Sequence, residues 1–157
     1  MGRTHMNGNL EALEDWADPL LRKLEPAERG KLARGLAQQL RRKQQQRVKT
    51  QANPDGSKYT PRKKRDLRGK KGRIRRKLEM FQKLRKVAYL KAKDDGSAIS
   101  VGFTGRVARI ARVHQYGLKD RADRGAPDVH YKQREILGFT EADLELIRNR
   151  LLTYLSK

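Results

Sequence analysis

The chain has 157 residues and contains no cysteine. This absence excludes disulfide bonds, catalysis by a thiolate and zinc sites built on thiolates, and it fits a reducing cytoplasm. No apolar run approaches the roughly 20 residues that a transmembrane helix needs. No short apolar stretch follows a basic start, as it would in a signal peptide. The sequence therefore predicts no membrane partner.

Groups that could converge on a substrate are also scarce. The three histidines are not spaced as metal pairs usually are, and His114 falls on an apolar helix face, which favours a structural role. The four serines show no nucleophile-elbow pattern, and there is no glycine-rich phosphate loop. The sequence predicts no catalytic residue, no cofactor and no metal site.

Positive charge is abundant, with 39 Lys and Arg against 18 Asp and Glu, a net charge of +21. So much self-repulsion favours an anionic partner or neighbour. The densest stretch, PRKKRDLRGKKGRIRRK, runs from Pro61 to Lys77 and contains eleven Lys or Arg. It is the core of a predicted extended basic arm at about 58–77, whose candidate contact residues are Arg62, Lys63, Lys64, Arg65, Arg68, Lys70, Lys71, Arg73, Arg75 and Arg76.

The arm has no aromatic residue within it, since Tyr59 and Phe81 lie on either side. Binding to phosphates through counterion release would therefore be non-specific, because phosphate contacts position a protein and base contacts specify sequence. The alternative is a solvated run of charge that faces acidic neighbours. The sequence leaves both open.

Apolar residues at helical spacing predict an N-terminal helix over 9–24. Pro19 either interrupts this helix or begins a new one. Pro26 begins a longer helix that extends to about Thr50. Its apolar stripe contains Leu32, Leu36, Leu40 and Val48 with Gln44 in the same row, and its other faces contain Arg34, Arg41, Arg42, Lys43 and Arg47.

The second half of the chain changes period. After the turn ANPDGSKYTPR and an extended, mobile loop over 61–72, a helical stripe is predicted from Arg73 to Leu84. Alternating residues then predict a two-stranded ribbon over 87–103 around KDDGS. A short helix that ends at Gly117 follows, with an apolar face made of Val107, Ile110, Ala111 and His114. The next predictions are a polar stretch over 118–128 and a third strand over 129–137. A last helix is capped by Thr140 and Asp143, and its apolar stripe contains Leu144, Ile147, Leu151 and Leu155.

This order predicts an α+β fold with long N-terminal helices, a small antiparallel sheet and a C-terminal helix. Residues 1–6, MGRTHM, are interpreted as a cloning remnant, and 7–157 as a single domain with the basic arm.

Several stretches are similar to one known family. QQQRVKTQANPDGSKYTPRK, RIARVHQYGL and REILGFTEADLELI occur in this order, and together they resemble the phage virion morphogenesis family, the tail completion proteins of contractile-tailed phages. The resemblance covers roughly residues 9–155. One departure is that the family usually has Arg-Pro before the Leu-Gly segment, where this chain has Arg134-Glu135-Ile136, which puts the local strand geometry in doubt. The residues that match the family motifs are Pro54, Asp55, Gly56, Tyr59, Pro61, His114, Gln115, Tyr116, Gly117, Leu137 and Gly138.

The resemblance implies a non-enzymatic structural protein of the virion, at the head-proximal end of the tail or in the neck, where it makes the tail competent for head–tail joining. It implies partners in the tail tube or sheath and the neck or head connector, and a ring of identical subunits, a hexamer if it follows the tail symmetry. Phage DNA is a further, non-specific neighbour of the arm. The resemblance is also compatible with a headless, tail-derived bacteriocin particle. On charge alone, a non-specific nucleic-acid-binding protein of ribosomal or nucleoid type is the alternative, and a small nuclease is a more distant one.

Overall fold

A computed structural model describes residues 2–62, 79–96 and 98–156, with side chains from Leu10 onward. The elements within these ranges are, in chain order, α1 (Gly2–Arg22), α2 (Pro26–Lys49), β1 (Leu90–Asp94), β2 (Ile99–Phe103), α3 (Val107–Tyr116), β3 (Lys119–Arg121), β4 (Asp128–His130) and α4 (Glu141–Leu155). The predicted α+β class is confirmed. The sheet differs from the prediction, because the described strands form two separate antiparallel pairs, β1–β2 and β3–β4.

Helix α2 is the centre of the fold, because it contacts β1, β2 and α4. It begins with Pro26 and ends at Lys49, as predicted, and its whole apolar stripe is buried together with Gln44. Two groups of buried residues flank it. One contains Val48, Tyr59, Met80, Phe81, Leu84, Ala111 and Ile136, and the other contains Ala17, Leu32 and Leu151.

The charged faces of α2 are less uniform than predicted. Arg41 is buried rather than solvent-facing, and its Nε donates to Gln38 at 3.1 Å. Arg47 is partly buried and contacts distant backbone. Periodicity places both arginines off the apolar stripe but does not predict which neighbouring segment covers them.

Helix α1 continues through Pro19, so the predicted interruption is wrong. Proline removes one N–H and therefore one hydrogen bond of the preceding turn. The helix ends three residues later at Arg22, so little helix remains beyond the defect. Burial of Leu13 and Ala17 on one face holds the turns before the proline in place.

The predicted ribbon is confirmed, although β1 begins at Leu90 rather than at Val87, which is exposed. The register pairs Leu90 with Phe103 and Asp94 with Ile99. Leu90 is fully buried, so the paired part of the ribbon is the part that packs against α2. The pairing follows burial because cross-strand and face contacts, more than propensity, stabilise a strand.

The helix predicted over 73–84 is wrong in its described part, where residues 80–89 form a series of turns; residues 63–78 lie outside the described ranges. Phe81 has a φ of 66°, which an α-helix does not accommodate. This conformation places the Phe81 ring 5.6 Å from that of Tyr59 and 4.9 Å from that of His114. Aromatic packing therefore outweighs the helical period of this short segment.

Helix α3 ends where predicted, with Gly117 in the left-handed region at φ 63° and ψ 48°. Its buried face differs in part from the prediction: Ala111 is buried, but Ile110 is 49% exposed and Val113 is buried instead. Helix α3 contacts Phe81 through His114 and Leu137 through Gln115, so its covered surface does not follow the single predicted stripe.

Replacing Gly117 tests this helix end. Gly117→Val should lower the free energy of unfolding by about 1–2 kcal/mol or more, because a β-branched residue strains a left-handed backbone. An added Cβ would also lie 3.1 Å from the Gln133 nitrogen. Chemical denaturation measures the loss. Gly117→Asn also adds a Cβ but tolerates the backbone angles, so it should lose less; equal stability of the valine variant and the unmodified chain would contradict this.

The strand predicted over 129–137 is largely wrong. Only Asp128–His130 is a strand, and it pairs with Lys119–Arg121 from the stretch that was predicted to be a polar loop. Helix α4, in contrast, begins as predicted. Thr140 accepts from the Asp143 nitrogen at 3.1 Å, and the Asp143 carboxylate accepts from the Thr140 nitrogen at 2.9 Å, a complete capping box.

Candidate functional site

Residues 131–140 connect β4 to α4 without regular secondary structure. Buried backbone groups of such a segment need partners from elsewhere in the chain. Here they come from the end of α2, from the turn after it and from the end of α3. We call the contacts of residues 133–138 with these three regions the motif junction.

Arg47, on the last turns of α2, donates four hydrogen bonds, two of them to the backbone of the connecting segment. Its Nη1 donates to the carbonyl oxygens of Ala52 and Glu135, both at 2.9 Å. Its Nη2 donates to the carbonyl of Ile136 and to Gln44 Oε1, both at 2.7 Å. Burial lowers the pKa of this guanidinium from its usual value, but neighbouring groups oppose the shift. One side chain thus joins the helix, the following turn and the connecting segment.

Two glutamines also bind the backbone of the segment, Gln115 from α3 and Gln44 from α2. Gln115 Oε1 accepts from the nitrogens of Ile136 and Leu137 at 2.8 and 2.9 Å, and its Nε2 donates to the Leu137 carbonyl at 2.8 Å. Gln44 Oε1 accepts from the Gly138 nitrogen at 3.2 Å. These bonds satisfy consecutive backbone groups of the segment, so it is held in place without a partner strand.

The turn after α2 packs directly on this segment. Asn53 Oδ1 accepts from the Glu135 nitrogen at 2.9 Å, and the Tyr59 hydroxyl donates to the Glu135 carbonyl at 3.2 Å. Pro54 lies so close to Gly138 that a Cβ on the glycine would be 2.5 Å from the proline Cγ. Only glycine fits position 138 without displacing the turn.

Arg134 joins the start of the basic arm to α3. It is only 5% exposed, and its guanidinium donates to the carbonyls of Thr60 and Pro61 at 2.7 and 3.1 Å. Its Nη1 also lies 3.3 Å from His114 Nδ1. Because arginine only donates, His114 must accept through Nδ1, which places the ring proton on Nε2.

His114 is held in an aromatic and cationic environment. Its ring contacts Phe81 and Tyr131 edge to face, with centroid distances of 4.9 and 5.0 Å. Burial first, and then the charges of Arg134 and Arg62, lower the pKa of His114 to about 4. The imidazole is therefore neutral at physiological pH and serves as a structural acceptor.

This depressed pKa predicts an acid-sensitive fold. Between about pH 6.5 and 4 the unfolded chain binds a proton at His114 that the folded chain does not, so stability should fall as the pH falls through this range. His114→Asn keeps a side-chain acceptor without titrating. As the pH is lowered from 7.5 to 4.5, the unfolding free energy of the unmodified protein should fall more than that of the variant. Parallel pH curves would contradict the assignment.

The structure brings most of the family-motif residues together and leaves some outside. Pro54, Tyr59, His114, Gln115, Gly117 and Gly138 all contribute to the junction or its packing, and the Pro61 and Leu137 carbonyls accept hydrogen bonds in it. Asp55 and Gly56 instead form the exposed turn, where the Asp55 carboxylate accepts from the Ser57 nitrogen at 2.8 Å. Tyr116 is 64% exposed.

Of the predicted arm residues, Arg62 is described and exposed. The others, from Lys63 to Arg76, lie outside the described residues. The arm is therefore known structurally only at its first part, where the Pro61 backbone is bound by Arg134.

Four residues of the junction were not identified as site residues from the sequence: Gln44, Arg47, Asn53 and Arg134. The signal for Gln44 was its place in an otherwise apolar row of α2. For Arg134 the signal was the next residue, where this chain has Glu135 and the family usually has proline. Glu135 stands there with a backbone N–H that bonds Asn53.

The described parts of the chain contain neither a cluster of metal-binding side chains nor a helix that could span a membrane. No group of three or more His, Asp or Glu is placed there to hold a metal ion. Within the same ranges, no helix is both long and apolar enough to cross a membrane.

Comparison with known proteins agrees with the sequence resemblance. The model of the phage virion morphogenesis family matches residues 8–156. Tail completion protein S of Escherichia phage P2 is 37% identical over 145 residues, which is 92% of this chain and 95% of that protein. No solved structure matches. With nearly its whole length matched by the family and its motifs converging on one junction, the chain belongs to the phage virion morphogenesis family.

Proposed function

We propose that this protein is a structural component of a phage tail that completes the tail at its head-proximal end and thereby permits head–tail joining. The observation that supports this most is its similarity to tail completion protein S over almost the full length of both chains. The motif junction agrees with a structural role. Its polar side chains are committed to backbone groups, so they position the chain and are not available for a substrate.

Particles made without the protein provide the direct test. In cells infected with a phage that lacks this gene, we expect tails and DNA-filled heads that remain separate in electron micrographs. Supplying the unmodified protein from a plasmid should restore joined particles. Normal joining without the protein would refute the proposal. In a headless bacteriocin particle, the corresponding defect would be in the stability or length of the tail.

We further propose that the protein acts as a ring of identical subunits, a hexamer if it follows the tail symmetry, between the tail tube or sheath and the neck proteins. The described surface exposes several large apolar side chains: Val87, Ile110, Tyr116, Leu118, Phe139 and Leu152. Contacts with copies or neighbours would cover some of them. The net charge of +21 opposes association of the isolated chains, so the ring should form most readily against acidic tail or head proteins.

A second candidate function, non-specific nucleic-acid binding, is favoured by the charge. Besides the arm, Arg42, Lys49 and Arg85 line a shallow cleft of about 300 Å³ beside α2. Phosphates would suit such a surface, with no selection among base sequences. Within the neck, the same surface would face the exiting phage DNA. DNA binding by the purified protein together with normal tails in its absence would favour this function over tail completion.

The arm predicts a specific salt response. Changing Arg62, Lys63, Lys64, Arg65, Arg68, Lys70 and Lys71 to Gln should weaken DNA binding equally for all sequences. The slope of log affinity against log salt should become shallower by roughly one unit for each phosphate that the arm no longer neutralises. Fluorescence anisotropy with two unrelated duplexes measures both.

Shuffling the same charges within the arm is the matched control. It should preserve DNA binding and tail completion, because counterion release depends on the number of charges and not on their order. A shuffled arm that folds normally but fails in tail completion would show that the arm recognises a specific surface.

A further inference from the structure

A groove of about 1150 Å³ lies between α1, α2, the tip of the β1–β2 ribbon and residues 137–139. Its walls are largely apolar, with Leu10, Leu21, Val101 and Phe139 among them. Phe139 remains 39% exposed. We call this the α1 groove. An open apolar surface of this size is typical of a site that another chain covers.

The rim of the α1 groove has the opposite charge to the rest of the protein. Four carboxylates (Glu14, Asp15, Asp18 and Asp94) and two guanidinium groups (Arg22 and Arg29) line it. Asp18 and Arg22 pair with each other at 2.7 Å. Residues 10–18 contain four acidic residues and no basic one, in a chain with a net charge of +21. The groove is therefore complementary to a surface that is both basic and apolar.

Another copy of this chain offers such a surface on α3. Exposed arginines stand beside exposed apolar side chains there: Arg106, Arg109, Ile110, Arg112 and Tyr116. The helix contains no acidic residue, although Arg109 pairs with Asp120 at 2.5 Å. We call this the α3 face. Residues of α3 do not line the α1 groove, so the two surfaces are distinct patches of one molecule.

We propose that the α1 groove of one subunit receives the α3 face of a second copy. A contact between two different patches is heterologous, and it generates a closed ring when the rotation between subunits closes. It also opposes the repulsion between highly positive subunits, because it brings the acidic rim of one against the arginines of the next. The inference rests on the proposed function, in which a ring of subunits completes the tail.

Cross-linking tests which surfaces meet, and the absence of native cysteine makes the result unambiguous. Leu10→Cys places a thiol in the groove, Tyr116→Cys places one on the α3 face, and both leave every charge of the contact intact. Mixed and mildly oxidised, the two variants should form a disulfide dimer several-fold more than either alone. Arg42→Cys, outside the groove, is the control partner. Equal cross-linking to Arg42→Cys, preferential Leu10–Leu10 pairing, or capture of a tail protein instead would overturn the proposal.

Charge reversal tests the electrostatic part. Glu14→Lys with Asp15→Lys, and separately Arg106→Glu with Arg112→Glu, should each weaken self-association about tenfold or more in sedimentation. An equimolar mixture of the two variants should recover it, because each reversed surface then meets its complement. Arg42→Glu with Lys49→Glu changes the net charge as much as the α3 variant does and should cause no such loss. These positions are exposed, so each variant should remain folded, which thermal melting would check.

The same variants separate this inference from the proposed function. If particles without the protein fail to join heads but reversed variants associate normally, the groove contact is wrong and the function stands. If heads and tails join without the protein, the function is wrong, whichever surfaces cross-link. Loss of both association and complementation in each reversed variant, with recovery in the mixture, supports both.

Discussion

Arg47→Met should lower the free energy of unfolding by about 3–5 kcal/mol. The substitution keeps an unbranched apolar side chain of similar length on α2 but removes all four hydrogen bonds of the guanidinium. The carbonyl oxygens of Ala52 and Ile136 then lose their side-chain donor, whereas that of Glu135 keeps the Tyr59 hydroxyl. Each buried polar group left unsatisfied costs about 1–3 kcal/mol, and removing a partly buried charged donor is at the upper end of single-residue effects. Urea denaturation measures the loss.

Two controls bracket the Arg47 result. Arg42→Met changes an exposed arginine on the same helix and should alter stability by no more than about 0.5 kcal/mol. Arg47→Lys keeps the charge but loses the planar pair of donors, so it should recover only a minor part of the loss. If Arg47→Met is as stable as Arg42→Met, the hydrogen bonds of the junction contribute little and the junction is not what holds residues 133–138.

Gln115→Leu should destabilise the protein by about 2–4 kcal/mol. The leucine fills a similar volume but leaves the nitrogens of Ile136 and Leu137 and the Leu137 carbonyl without their side-chain partner. Hydrogen exchange gives a local measurement, because the amides of Ile136 and Leu137 should exchange much faster than in the unmodified protein. The exchange rates of amides in the middle of α2 should increase only as much as the global loss of stability accounts for.

The matched control for this change is Gln46→Leu, at an exposed position of α2, which should leave both stability and exchange nearly unchanged. Gln115→Glu is a second comparison. It keeps the acceptor for the two nitrogens and loses the donor to Leu137, so its exchange pattern should be intermediate. Unchanged exchange at Ile136 and Leu137 in Gln115→Leu would mean that another group satisfies these amides.

Elements with short-range signals were predictable from the sequence. Pro26 and a regular apolar stripe defined α2 almost to the residue, Gly117 ended α3, and Thr140 with Asp143 capped α4. Alternation around KDDGS predicted the β1–β2 ribbon. In each case, the deciding interaction joins residues close in sequence, so spacing alone expresses it. The sequence motifs also identified the family correctly.

The junction was decided only by the tertiary structure. Arg47 and Glu135 are 88 residues apart, and their contact depends on how α2, the following turn and α3 pack together. The same packing turned Phe81 out of a helical period and held residues 131–140 in place without a strand partner. A side chain that binds distant backbone leaves no periodic trace, since its partner is a peptide group that every residue type provides. For this reason, the sequence by itself determined the class of the fold, its family and most of its helices, whereas three-dimensional packing determined which polar residues hold the motifs together.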